Sequence, residues 1–564
     1  MPSKSVLAYI VSLLWGVVLA PAQSALRLDA NTVLETKLEP GASHPYALHL
    51  ERGQSAEVIV RQMGVDVVVE VVSPAGKVLD SIDSPTGRNG DEVVEVIAQE
   101  SGTYIIRVRP FDSQEPPGKY RLEVKHLRDI RTTEQMLAAR RMARESAARW
   151  LRRHSVALAS SGMLPPGMDA GPLDELATRV RVLGIGEATH GSREFGDLRL
   201  SVIRYLVEKH HYRVIALEGG ASRMGLLEPY VKGEVDRSPE VTRLIESGWI
   251  GRRPQRELME WLRTYNTRNP NDRVRLVGVD GQDNANSRTS LREFLTKAYG
   301  DKLLGRWTSI EPDLIAGDAQ AQVFGDSGTD VATRELLVEI VAMLELDAPL
   351  LRARFGTAAY ESARQASHSL LQAVDFNSDV KSAITHSRDW YMAVNVLGAL
   401  EGDDTQTRAV FWAHNAHVVH PPGTTRTSGA LLRDVLGCGY GALAVTFGEG
   451  AFVAQIPNDL EDRLAVSELP HSPEESVEGV LSQVHPDSTL VTWKCKTEMS
   501  ELPEWFRQPH PMHWVGGLWK PGSASSEAFR PYTLLQDFDG IVYLRRVTAD
   551  DMFSDRPLVP ARKR

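Results

Sequence analysis

The chain has 564 residues, with 64 Lys plus Arg against 74 Asp plus Glu and a formal net charge of −10. An acidic chain with scattered basic residues lacks the clustered Lys and Arg that hold a phosphate backbone, so no nucleic-acid partner is expected. At 42% hydrophobic and 24% charged residues the composition is that of a folded protein of several domains, and two cysteines cannot make a disulfide scaffold.

Lys4 is the only charge before the apolar run Val6 to Ala20, and the small residues of Pro21-Ala-Gln-Ser-Ala25 follow it. This is the pattern of an export signal over residues 1–25, cleaved after Ala22, Ser24 or Ala25. The run is about 15 residues, short of the roughly 20 that span a bilayer as a helix. The expected location is therefore periplasmic or extracellular, with no membrane span after cleavage. Cys438 and Cys495 carry no nucleophile motif and read as packing residues or as a bridge.

Residues 26–128 alternate in short segments: Tyr46 to Leu50, Ala56 to Val60, Val65 to Val72, Val93 to Ala98, Tyr104 to Val108 and Tyr120 to Val124. Gly- and Pro-containing turns punctuate them, as in a small antiparallel sandwich. Through Glu100-Ser-Gly-Thr-Tyr-Ile-Ile-Arg-Val108 and Gly118-Lys-Tyr-Arg-Leu-Glu-Val124 the segment resembles the pre-peptidase carboxy-terminal type of β-sandwich, an auxiliary module of exported hydrolases. Residues 129–160 follow as a connecting helix without Gly or Pro over Arg131 to Leu158, opened by the box Thr132-Thr-Glu-Gln135.

From 161 to 550 short β-branched runs alternate with helical patterns, which predicts an α/β domain with a mainly parallel sheet, and 551–564 form a tail. The strands are Val180 to Gly186, Val214 to Leu217, Val274 to Val279, Ala409 to Ala413 and Leu443 to Phe447. Polar residues follow each: Glu187 and His190, Glu218, Asp280, His414 and His417, and Glu449. Ligands gather outside the carboxyl ends of parallel strands, so these residues are expected to converge at one edge. Ser287 to Asn395 is helical by pattern and is expected to cap or flank that edge.

The densest signal is Gly184-Ile-Gly-Glu187-Ala-Thr-His190-Gly-Ser-Arg-Glu194-Phe195. Its glycine spacing does not fit a dinucleotide fingerprint, and Glu187 would repel a pyrophosphate. The helix behind it places Arg199 in an apolar stripe with Phe195, Leu198, Val202, Ile203 and Leu206. A buried guanidinium stays charged and needs a carboxylate, for which Glu187 or Glu218 is available. Trp412-Ala-His414-Asn-Ala-His417-Val-Val-His420 adds imidazoles. Together with Glu187, His190 and Glu218 these supply donors enough for a divalent metal, although no metal motif marks the site; His420 alone reads as structural. Gly325-Asp-Ser-Gly328 mimics part of a serine-protease signature but follows no strand, and reads as a turn. An exported metal-, haem- or sugar-binding protein is the alternative of another class.

Taken together, Gly184 to Phe195, Ala216-Leu-Glu218, Gly278-Val-Asp280, Arg388-Asp-x-x-Met392-Ala-x-Asn395, Trp412 to His417 and Thr446-Phe-Gly-Glu-Gly450 resemble the erythromycin esterase family over about Trp150 to Val547. The resemblance implies hydrolysis of an ester or lactone without a metal or other cofactor, with His190 as general base on water and Glu187 orienting it. It places Arg199, Glu218, His414 and His417 in the same site. Asp280, Glu194 and Glu449 are the expected substrate contacts. The export signal and the sandwich depart from the antibiotic-inactivating members, which leaves the substrate open. An unperturbed imidazole base predicts activity falling as pH drops through about 6.5.

Overall fold

A computed structural model describes residues 25–83, 88–112, 115–159, 163–164, 170–246, 252–282, 284–320, 331–377, 387–400, 407–423, 426–457, 463–493, 502–523, 525–550 and 558–559. Residues 1–24 of the expected export signal, Gly325–Gly328 and Cys495 lie outside these residues, and among the described residues no helix is long and apolar enough to cross a membrane. The chain divides into two units, Met1–Ala139 and Arg140–Arg564.

The first unit is a sandwich. One sheet has five strands in the order Leu26–Leu28, His44–Leu50, Gly102–Pro110, Val67–Val72 and Val78–Ile82; the other has four, Val33–Leu38, Gly118–Arg128, Ser55–Met63 and Asn89–Ile97. Alternate residues point inward, so Val58, Val60, Val67, Val69, Tyr104, Ile106 and Leu122 fill one core between the sheets. The helix after it spans Ile130–His154. Its start is capped by Asp129, whose carboxylate accepts from Thr132 N at 2.7 Å, rather than by the expected box at Thr132. The segment expected to remain helical to Leu158 instead ends as a strand, Ser155–Leu158.

The second unit is built on a sheet in the order Ser155–Leu158, Ser488–Thr492, Gly540–Val547, Tyr440–Gln455, Val182–Ile185, Arg408–Trp412, Tyr212–Gly220 and Arg275–Asp280. All five expected strands are present, and the six from Gly540–Val547 to Arg275–Asp280 are mutually parallel. The two remaining strands in that order pair antiparallel. Successive strand residues enter different cores. Leu183, Ile185, Ile215, Leu217, Val410 and Trp412 pack on one face, and Val182, Val214, Ala216, Ala409 and Phe411 on the other. Coverage on both faces is what allows near-continuous apolar parallel strands. The expected helical region holds a core of its own, centred on Leu291, Trp307, Leu337, Ile340, Tyr360 and Leu370.

Register places the site. Ile185 lies opposite both Trp412 and Leu443, and Leu217 lies opposite both Trp412 and Gly278. Five strands are thus in step at these positions, and Glu187, His414, Glu218 and Asp280, one or two residues further along four of them, lie together on one edge. Gly186 is required there, because a Cβ would collide with the buried Asn415 side chain. That side chain in turn grips Val445, its amide N–H donating to the carbonyl at 2.9 Å and its oxygen accepting the backbone N–H at 3.2 Å.

Cys438, in the turn Gly437–Gly439, is disulfide-bonded, which selects a bridge over simple packing.

Candidate active site

Glu187 is the centre of the arrangement. It is buried, and its Oε1 accepts from His190 Nδ1 at 2.6 Å. Its Oε2 accepts from Trp412 Nε1 at 2.9 Å and from Arg199 Nη2. Arg199 is itself buried in the apolar stripe and lies over the Trp412 ring, 5.0 Å from its centroid. The guanidinium therefore has its carboxylate, and it is Glu187 rather than Glu218. Burial pushes the Glu187 carboxyl upward, but Arg199, His190 and Trp412 overcome that and hold it down at about 2.

With Nδ1–H given to Glu187, the lone pair of the neutral His190 ring is on Nε2, which has no hydrogen-bond partner among the described residues. The ring is half-buried. Burial lowers its pKa, while the Glu187 hydrogen bond and the charges of Glu218 and Glu187 raise it further, so it lies above the usual value of 6.5. The acid limit expected from an unperturbed imidazole is displaced upward for this reason.

Glu218 does not touch His190. Its Oε2 accepts from the backbone N–H of His414 at 2.7 Å and its Oε1 from Arg388 Nη2 at 2.8 Å. Arg388, at the start of the helix Arg388–Ala399, also grips Asp280 with Nε at 3.0 Å and Nη2 at 2.7 Å, and reaches His417 Nε2 with Nη1 at 3.2 Å. His417 Nδ1 donates to Asp389 at 3.0 Å. Burial opposes charging of His417, but Asp389 and Glu218 raise its pKa on balance. With both ring nitrogens occupied, His417 ties the helix start to the strand ends, and Glu218 and Asp280 bind the same guanidinium.

His414 is of a different kind. Its Nδ1 accepts from Ala416 N at 3.1 Å, which puts the ring proton on Nε2. Burial and the neighbouring His190 push its pKa down to about 3, so the ring is neutral at any working pH. Any hydrogen bond it gives from Nε2 is therefore that of a neutral donor. Its ring centroid lies 5.7 Å from that of His190 and 6.5 Å from that of His417.

The structure thus brings His190, Glu187, Arg199, Glu218, His414, His417 and Asp280 to one edge. Glu194 and Glu449 are engaged elsewhere. Glu194 accepts from Thr548 N at 2.7 Å and Thr548 Oγ1 at 2.8 Å, and Glu449 pairs with Arg546 at 3.0 Å. His420 bonds Asp539 at 3.0 Å, a structural pairing as expected. Arg388, Asp389 and Trp412 were present in the sequence motifs without a role assigned to them, and Trp514, whose ring packs on His414, carried no signal.

The donor set does not suit a divalent metal. Guanidiniums already occupy Glu187, Glu218 and Asp280, and His414 and His417 spend their basic nitrogens on Ala416 and Arg388. Among the described residues no group of three or more His, Cys, Asp or Glu is disposed to hold one.

A family model for erythromycin esterase matches residues 207–547. The chain belongs to the erythromycin esterase family. The matched span contains Glu218, Asp280, Arg388, His414 and His417, while Glu187, His190 and Arg199 lie just ahead of it. Erythromycin esterase type I of Escherichia coli is 26% identical over 43% of this chain, an alignment that covers 63% of that relative's length. Erythromycin esterase type II of Escherichia coli is 22% identical over 51% of this chain and 74% of the relative. Two crystal structures share the fold. A Bacillus cereus protein aligns at TM-score 0.56 and 19% identity over 72% of this chain and 99% of its own, and a succinoglycan biosynthesis protein at 0.52 and 16% over 73% and 98%.

For this member of the erythromycin esterase family, the charge states make the fold sensitive to acid. Glu187 is ionised in the folded protein down to about 2, and His414 stays neutral down to about 3. The unfolded chain takes up those protons near 4.5 and 6.5, so stability contributed by both is present above these values and lost as pH falls. The raised histidines His190 and His417 act in the opposite sense only above 6.5. Thermal midpoints are therefore expected to fall steadily from pH 6.5 to pH 4, and to fall less in Glu187→Gln. Midpoints that stay level or rise over that range would contradict these assignments.

Proposed function

We propose that this protein is an exported hydrolase that adds water to the acyl carbon of a carboxylic ester or lactone, with His190 as the general base. The observation that carries the reading is the Glu187–His190 pair: Glu187 fixes the tautomer that leaves Nε2 free to take a proton and stabilises the imidazolium that forms. A water proton passes to Nε2, the water oxygen bonds to the acyl carbon, the acyl C–O bond breaks, and the imidazolium returns a proton to the departing alcohol. Arg199 and Trp412 keep Glu187 ionised and still.

His414 Nε2–H supports the oxyanion. It faces the Ala188 carbonyl at 3.4 Å, but that oxygen already accepts from Val515 N at 3.0 Å and Gly516 N at 3.1 Å. A carbonyl oxygen offers two lone pairs, so the imidazole N–H is the surplus donor and can turn to a substrate oxygen without stranding Ala188. Erythromycin, the compound in the names of the relatives, is one member of the proposed substrate class. Export rests on the run Val6 to Ala20 and the small residues after it.

The test is incubation of the purified mature protein with macrolide lactones, smaller lactones and simple esters, with mass analysis of products and a parallel series in chelator. Gain of one water by at least one compound, unaffected by chelator, is expected; no hydrolysis across the set would overturn the reading.

A further inference from the structure

Trp514 follows the strand His510–His513, which forms a ribbon with Phe529–Tyr532. Its ring stands perpendicular to the His414 imidazole, with centroids 5.1 Å apart, and stacks on Tyr532 at 6.4 Å. Several bonds fix it in place. Trp514 N donates to Ala528 O at 2.6 Å, His513 N donates to the fully buried Glu478 at 3.0 Å, and Val515 and Gly516 donate to Ala188. Gly516 adopts φ +67°, and a Cβ there would lie 3.9 Å from His414 Nε2. The backbone thus approaches the proposed oxyanion donor at a residue without a side chain, while the partly exposed indole stands beside that same imidazole.

We infer that Trp514 is a specificity-determining residue: its indole is the apolar wall against which the group flanking the scissile carbonyl packs, so the favoured substrates carry a bulky alkyl or ring group there. This rests on the hydrolase reading above. Three properties of the site lead to it. The side chains bonded to the imidazoles of His190 and His417, namely Glu187, Arg388 and Asp389, are charged and already paired, so they offer a hydrocarbon group no apolar contact. An indole held on both sides by backbone bonds loses little entropy when it is covered. An apolar group packed over it would also complete the exclusion of water that keeps His414 neutral.

The experiment compares wild type, Trp514→Ala and Trp514→Phe on two series of simple esters, one with the acyl chain lengthened from acetyl to octanoyl and one with the alcohol lengthened. Wild type is expected to prefer the longer member of one series. Trp514→Ala should lower the long-to-short ratio of kcat/KM by about tenfold or more, chiefly through KM, and Trp514→Phe should restore most of it. A ratio unchanged in a folded Trp514→Ala protein, with all esters slowed alike, would overturn the inference and leave Trp514 as a cover for His414. Loss of hydrolysis of every ester by wild type would instead remove the hydrolase reading and this inference with it.

Discussion

Replacing His190 with alanine lowers turnover of the hydrolysed ester or lactone by about 10²- to 10⁴-fold, the usual contribution of a positioned general base. The fold should survive, because the ring is half-buried and bonded within the site only to Glu187, which keeps Arg199 and Trp412. Circular dichroism and thermal midpoint check the fold, and turnover per active protein checks the role. The loss should appear in kcat, since the imidazole acts on the water and not on substrate binding. Wild-type turnover in a folded His190→Ala protein would transfer the base to another group.

Replacing Arg388 with alanine should be the most destabilising change in the site. Its guanidinium is the cationic partner of both Glu218 and Asp280, and Asp280 is almost wholly buried. Truncating one partner of a buried pair strands the other charge, at a cost of about 3–5 kcal/mol. The effect should reach catalysis, because Glu218 holds the backbone N–H of His414 and Asp389, next in sequence to Arg388, holds His417. Arg388→Lys keeps the charge without the fork that spans two carboxylates and a ring nitrogen, and should recover only part of the stability. Chemical denaturation and activity measured on the same samples check both effects; an Arg388→Ala protein as stable as wild type would show that the two carboxylates take up protons or solvent at little cost.

The sheet was legible where an apolar run ends in a polar residue, because that pattern fixes both a buried strand and the edge at which its end emerges. All five such runs are strands, and their register explains why residues from Glu187 to His417 meet. Gly540–Val547 was hidden by Arg545 and Arg546, which follow a short apolar start, although it is the parallel neighbour of Tyr440–Gln455. Ser155–Leu158 has no turn residue ahead of it, so only its pairing with Ser488–Thr492 distinguishes it from the end of a helix. Arg199 could be recognised because a charge in an apolar stripe demands a partner. Arg388 could not, since an arginine at a helix start is ordinary until strand ends more than a hundred residues away supply its carboxylates. The same holds for Glu194 and Glu449. Glu194 in the Gly184–Phe195 motif and Glu449 after an apolar run suggested the site, but Thr548 and Arg546 approach them from the last parallel strand and its following turn. Charge states were the least legible feature, because the raised pKa of His190 and the depressed one of His414 arise from neighbours assembled only by folding.

The measurement that tests the central claim most directly is the pH dependence of kcat/KM for wild type and Glu187→Gln on one hydrolysed substrate. His190 accepts the water's proton only when neutral, and its pKa is raised, so the wild-type rate should fall with acid through a midpoint above 6.5. Removing the Glu187 charge while keeping an oxygen acceptor should move that midpoint downward and reduce the plateau. A wild-type profile that stays flat from about pH 5 to 8, or a midpoint indifferent to Glu187→Gln, would contradict the Glu187–His190 pair as the base.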